Sequence, residues 1–294
     1  MSSIAAVSDI QLEKKSSLWL DAWCRLKKNK MAMVSSFLVV AFFLLAIAVP
    51  ILSPFPIDEV HYDSIGMAPN TLHWFGTDIL GRDMLARTFY GLRISLAVGL
   101  TATLVSFAIG VVYGAVAGFY GGKVDALMMR FVDVVYGLPY MFFVIIVMSV
   151  FGNNILILFM AIGAVSWLTM ARIVRGQVLS ISQKEFVEAA RSCGVRNRTI
   201  IFRHLIPNAL GPIIVYTTLM VPRTILVEAF LSFLGLGIQP PQASLGSLAS
   251  DGASAMDLYP WLILFPGVVL AILLFALNYF GDGLRDALDP RMKK

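Results

Sequence analysis

Val134–Ala171, VVYGLPYMFFVIIVMSVFGNNILILFMAIGAVSWLTMA, runs for 38 residues without a charged side chain. A helix needs about 20 apolar residues to cross a bilayer. The run is therefore too long for one crossing. Phe151-Gly152-Asn153-Asn154 supplies turn chemistry near its middle. The reading is two helices, each borrowing a turn from beyond the run. Working outward, Met31–Ile57, Ile94–Gly122 and Leu258–Gly281 are also uncharged and each long enough to span. Pro207–Leu231 makes a further crossing, interrupted by Arg223 and Glu228. The expectation is an all-α, polytopic membrane protein with six transmembrane helices.

Composition agrees. Of 294 residues, 58% are hydrophobic and 14% charged, with a mean hydropathy of +0.80. Soluble domains carry about 25% charge. We expect a cytoplasmic N-terminal segment at 1–33 and a first transmembrane helix at 34–53. An extracytoplasmic loop follows at 54–91, then a five-helix core at 92–281 and a cytoplasmic tail at 282–294. In the first segment Leu18-Trp19-Leu20, Trp23 and Leu26 share a face, with Lys27, Lys28 and Lys30 following. This predicts an interfacial elbow helix touching membrane lipid.

Charge sets the orientation. With both termini in the cytoplasm, nineteen Lys and Arg fall inside and three outside, namely Arg82, Arg87 and Arg93; Arg223 lies within the fifth crossing. The basic surplus is thus a topology signal, and no nucleic-acid partner is needed to explain it. Cys24 and Cys193 both fall inside, so no disulfide is expected.

On the cytoplasmic side Ser182–Gly194, SQKEFVEAARSCG, reads as a short amphipathic helix, the expected coupling helix at 182–194. Ser182 and Glu185 have capping-box spacing. Phe186, Ala189, Ala190 and Cys193 follow one helical face. Gly194 stands where a helix end favours positive φ. So short a helix is marginal alone, and its small apolar face predicts a soluble partner.

Glu188-Ala189-Ala190, then Gly194, then Ile206-Pro207 resembles the EAA loop of ABC-importer permeases, although His204 and Ile206 depart from its I-x-L-P ending. Gly76-Thr77-Asp78, Gly81-Arg82-Asp83 and the residues to Gly99 resemble the GTDxxGRD…R…YGxRxSLxVG stretch of peptide-importer permeases. Glu228 to Gly237 is similar to E-xx-LSFLGLG, and Gly281 to Pro290 to GDGLRDALDP. Together these run from Leu72 to Pro290. They resemble C-type transmembrane permease subunits of bacterial ABC oligopeptide and dipeptide importers. Phe142-Phe143-Val144-Ile145 and Trp167–Gly176 lean toward the oligopeptide branch.

The resemblance implies the type I ABC importer permease fold and a place in the bacterial plasma (inner) membrane. It implies a homologous B-type permease subunit as partner, with half of the translocation pore in each. Two ABC ATPase subunits would bind ATP and Mg, one of them holding Phe186, Glu188, Ala189, Ala190 and Gly194. An extracytoplasmic peptide-binding protein would deliver substrate. Dipeptides, glutathione or nickel are the alternative cargoes. A self-sufficient secondary transporter is the more distant alternative, without an internal repeat or midplane carboxylate to support it.

The remaining residues narrow the chemistry. Gly110, Gly114, Gly118 and Gly122 recur every four residues, a small-residue stripe read as helix packing within the bundle. Gly76, Thr77, Asp78, Gly81, Arg82 and Asp83 read as turns and caps opening a helix, without the alternating ligands of a calcium loop. Arg223 and Glu228 are ionisable groups inside a crossing, hence pathway candidates, with a snorkelling or interhelical pair as the plainer reading. Asp133 reads as structural. Gly122-Lys123 is followed by Val124, and Ala117 stands where a phosphate loop needs its first glycine. No histidine has metal-ligand spacing and no serine sits in a nucleophile elbow. The expectation is a non-catalytic subunit with no catalytic, cofactor or metal site.

Overall fold

The computed structural model describes residues 18–152 and 154–288. Lys14, Lys15, Asn153, Asp289, Pro290 and the tail to Lys294 lie outside them. The described residues hold eleven α-helices and no strand. A short helix α1 (Leu18–Lys28) leads into α2 (Lys30–Leu52). After a folded loop come α3 (Met84–Tyr120), α4 (Gly122–Tyr136), α5 (Tyr140–Phe151) and α6 (Ile155–Ser182). The short α7 (Glu185–Ser192) and the single turn α8 (Asn197–Thr199) precede a π-helical stretch, Ile200–Leu205. That stretch runs straight into α9 (Ile206–Phe233). Then follow α10 (Leu245–Ser254) and α11 (Trp261–Leu288).

Five helical segments are long and apolar enough to cross a membrane, and the bent pair α4 and α5 makes a sixth when the two are taken together as one broken span. The two ends of the bundle differ. One end carries α1 and α7. The other carries α10 and the loop between α2 and α3.

Local chemistry sets the helix limits. Asp83 caps α3 by accepting from the Ala86 amide at 2.8 Å. The turn expected within the long apolar run is where α5 ends. Gly152 takes φ +90°, and the Asn154 side chain opens α6 by accepting from the Leu156 amide at 2.9 Å. The crossing before that turn is not one straight helix. It bends by 74° at Gly137-Leu138-Pro139. Pro139 lacks an amide hydrogen and drives Leu138 away from helical geometry.

The α3–α6 contact uses three of the four glycines. An added Cβ on Gly110 would lie 2.6 Å from the Met170 Cβ, one on Gly118 2.8 Å from the Arg175 carbonyl oxygen, and one on Gly114 2.3 Å from the Ala171 carbonyl oxygen. Gly122 does not belong with them. It opens α4 at φ +54°, with nothing within 4 Å of an added Cβ. The chain must turn back there, so conformation rather than packing demands glycine.

Elsewhere α2 and α11 pack on α3 through Phe42, Ala46, Leu92, Leu96 and Leu273. In α1, Ala22 and Leu26 turn inward on Ala32 and Ala287. Leu20 and Trp23 do not share the Leu26 face, being 63% and 51% exposed. Trp23 lies beneath the Lys27 ammonium, 5.1 Å away. The helix therefore seats its small residues on α11 and keeps its aromatic ring outside.

Gly114→Ala is expected to destabilise the detergent-purified protein by about 1–3 kcal/mol, because a backbone oxygen cannot move aside for the methyl group. Gly176→Ala, where an added Cβ meets nothing, should leave thermal unfolding unchanged or raise its midpoint. Equal midpoints for the two variants would show that α3 and α6 can separate without loss.

Candidate functional site

Three regions carry the residues of interest. The first is α7. Ser182 does not cap it. The α6 helix continues through Ser182, and its hydroxyl donates to the Leu179 carbonyl at 2.9 Å. Because α6 runs through Ser182, the N-cap is Lys184, which makes no side-chain cap bond. The capping box is thus absent, although Glu185 and Glu188 still place negative charge on the first turn. The other end is as expected. Gly194 has φ +72°, its amide reaches the Arg191 carbonyl at 2.9 Å, and the Val195 amide reaches that of Ala190 at 3.1 Å. These two bonds form a Schellman motif.

The apolar face of α7 is divided. Val187 is fully buried, and Ala190 and Val195 pack with it against Val178, Ile181 and Ile200. Phe186, Ala189 and Cys193 face outward, with Phe186 41% exposed. Ala190 therefore helps seat α7 on its own bundle, while Phe186 and Ala189 remain open. Arg191 lies over the Phe119 ring at 4.9 Å and fastens the helix to the end of α3.

The second region is a cleft of about 330 Å³ where the α4–α5 break meets α6 and α9. Gly137, Leu138 and Pro139 form one wall, Ser166 and Thr169 another, and Tyr216, Met220 and Arg223 a third. Two ion pairs hold α4 against α6 beside it. Arg175 donates to both carboxylate oxygens of Asp125, each at 2.5 Å, and Arg172 donates to Asp133 at 2.7 Å while lying 4.2 Å over the Tyr136 ring. Asp133 is thus structural, as read from the sequence. Asp125, Arg175 and the break itself were missed there. The Gly137-Leu138-Pro139 signal was present, but an uninterrupted apolar run masked it.

The third region separates the two pathway candidates. Arg223 is exposed and lines the cleft. Glu228 is wholly buried and lines nothing. It neither snorkels nor pairs with Arg223. Its carboxyl accepts from the Ser95 hydroxyl of α3 at 2.9 Å and from the Ser232 hydroxyl at 2.7 Å. Ser95 in turn accepts from the Leu245 amide at the start of α10. Facing inward one turn before α9 ends, Glu228 ties three helices together and lies beyond reach of any solute in the cleft.

The loop end is also tightly bonded. Asp78 accepts from the amides of Leu80 and Arg82 and from the Arg82 guanidinium at 2.7 Å. His73 Nδ1 and Asp83 lie 2.8 Å apart, both buried. On α10, burial pushes the Asp251 carboxyl above its usual range, against the pull of Arg87 and Arg82. No group of three or more metal-ligating side chains occurs among the described residues.

The bundle thus has a broken crossing, a cleft at that break and a short helix at one end, and the comparisons place it among transport permease subunits. The family model for the inner membrane component of binding-protein-dependent transport systems matches residues 110–294, and the N-terminal transmembrane domain of oligopeptide transport permease C matches 17–69. The chain belongs to this permease family. It is 51% identical to the oligopeptide transport system permease protein OppC of Haemophilus influenzae, over 97% of this chain and 92% of that one. With the Escherichia coli K12 protein of the same name it shares 51% identity, over 94% and 92%. With the dipeptide transport system permease protein DppC of Bacillus subtilis it shares 47%, over 93% and 86%. The inward-facing methionine ABC transporter MetNI gives a TM-score of 0.57 at 20% identity, over 70% of this chain and 98% of that one. At that identity the likeness is one of fold.

Because Glu228 serves as a hydrogen-bond hub, Glu228→Gln should keep the acceptor and hold thermal stability within about 1 kcal/mol. Glu228→Ala leaves Ser95 and Ser232 without their partner and opens a cavity, at about 2–4 kcal/mol. Thermal unfolding of the purified variants checks the difference, and equal losses would dismiss the hub.

Proposed function

We propose that this chain is one transmembrane half of an ATP-driven importer that carries oligopeptides across the bacterial inner membrane. A homologous B-type permease forms the other half of the pore. Two ABC ATPase subunits bind ATP and Mg and supply the hydrolysis, so this chain needs no catalytic group of its own. An extracytoplasmic binding protein delivers peptide to the end that carries α10.

The observation that carries this reading is a face that lipid could not cover. The α4–α5 break exposes irregular backbone, and Arg223 stands beside it. Non-helical backbone at membrane depth persists only inside protein or along a water-filled cavity. A guanidinium there obeys the same rule. The partner permease therefore faces this side, and the cleft belongs to the pathway between them. The names of the relatives supply the cargo class.

At the opposite end, Phe186, Glu188 and Ala189 offer the ATPase a shallow, small-residue surface. Val187 and Ala190 anchor that surface to the bundle, and Gly194 fixes its exit. Movement of the ATPases then passes through a seated helix into α6, and from there into the wall of the cleft. Such coupling works only if ATP and peptide each favour one of the two states.

Ala189→Asp places charge on the open face without disturbing the seat, and Gly194→Val forces a branched residue into positive φ. Both variants are expected to lose co-purifying ATPases and at least nine-tenths of peptide uptake, while insertion in the membrane stays normal. Retention of both would remove α7 from the coupling role. The orientation has its own test. Cys24 and Cys193 are free and exposed. A membrane-impermeant maleimide added to intact cells should label neither; Cys24 should react only after lysis, and Cys193 only after lysis and removal of the ATPases. Labelling from outside would invert the proposed topology.

A further inference from the structure

The cleft beside the α4–α5 break carries an unbalanced positive charge. Arg87, Arg172 and Arg175 each have a carboxylate partner, Asp78, Asp133 and Asp125 respectively. Arg223 has none among the described residues. No acidic side chain lines the cleft. The carboxyl one turn further along α9, that of Glu228, is enclosed by Ser95 and Ser232.

Depth and company make this cation more than a stray charge. Arg223 stands ten residues before the end of α9, about 15 Å along its axis. Ser166, on the facing wall, stands eleven residues into α6, about 16 Å from its start. Both positions fall near the middle of the bundle, far from the headgroups that satisfy snorkelling arginines. The hydroxyls of Tyr136, Thr169 and Tyr216 in the lining donate to no acceptor among the described residues. Ser166 and Thr224, by contrast, spend theirs on their own helices. A guanidinium with uncommitted hydroxyls around one cleft is an anion-binding arrangement. The fork of Arg matches a carboxylate in shape and charge.

We propose that Arg223, assisted by Thr169 and Tyr216, forms a transit subsite for the C-terminal carboxylate of the peptide. This rests on the peptide-import reading above. The terminal carboxylate is the one anionic group that every unmodified linear peptide shares. A pathway that must pass many side chains gains sequence tolerance by holding that group and leaving the rest to a loosely fitting, largely apolar wall. Met220 and Val227 supply such a wall. A single guanidinium in a hydrated cleft also binds weakly enough for release.

The test uses the complete transporter with its binding protein in proteoliposomes. It compares two peptides that differ only in a terminal carboxylate or amide, for the wild type, Arg223→Gln and Arg223→Lys. ATPase co-purification and ATP turnover are measured alongside. The wild type should take up the carboxylate peptide about tenfold faster than the amide, as removal of a charge-assisted hydrogen bond requires. Arg223→Gln should slow the carboxylate peptide alone and bring the two within about twofold. Arg223→Lys should keep most of the preference, and all three should retain co-purifying ATPases. A preference unchanged in Arg223→Gln belongs to the binding protein and overturns the subsite. So does an equal slowing of both peptides, which marks a structural role, or a wild type indifferent to the amide. Should the assembled wild type move neither peptide while hydrolysing ATP, the peptide-import reading itself falls, and the subsite with it.

Discussion

The seating of α6 on the glycine face of α3 is the contact on which the other features depend. Gly110, Gly114 and Gly118 leave α3 bare there, so that the Ala171 and Arg175 carbonyls and the Met170 side chain of α6 press directly on its backbone. In a membrane, burial of apolar groups gives little drive for helices to associate, so close packing must supply it. Once α6 is fixed in this way, its remaining sides can serve other purposes. One side holds α4 through Arg172 and Arg175. Another gives Ser166 and Thr169 to the cleft. Its end carries α7. In the coupling proposed above, a shift at α7 would reach the cleft along this one helix.

Polar groups inside the bundle show the same economy. Glu228 is a wholly buried carboxyl, and each hydrogen bond described to it comes from a hydroxyl. The bonds run from α9 to α3 and on to the first amide of α10. The Ser244–Ser247 capping box then completes that helix start. An apolar residue at 228 would pack but would not choose among neighbouring apolar surfaces. A carboxyl that must find its hydroxyls fixes the register of three helices at once.

The crossings were legible because charge-free runs of 20 or more residues have few other uses. The Phe151–Asn154 turn, the Asp83 cap and the Gly194 exit were legible too, each being a local rule with a local cause. What escaped was decided between helices. Ser182 looks like an N-cap until α6 is seen to run through it. Gly122 continues a spacing of four but falls beyond the helix that gives the spacing meaning. Glu228 and Arg223 lie five residues apart on one helix and read alike, yet one faces a ring of hydroxyls and the other an open cleft. The periodicity of one helix says which residues share a side. It does not say what lies opposite.

The paired charges between α4 and α6 also mark where the hydrocarbon must stop. Asp125 with Arg175, and Asp133 with Arg172, form a polar layer that acyl chains cannot cover. Beyond Arg175, α6 continues for seven residues, about 10 Å, before the chain turns into α7. In the importer proposed above, this end of α6 would hold the α7 docking surface clear of the lipid headgroups. Bilayers differ in thickness by a few ångströms, and helices usually answer by tilting. Here such a change is absorbed on the membrane side of the charged layer. The proposed docking surface would then keep its height and angle, and the same ATPases could serve the protein in thin and thick membranes alike.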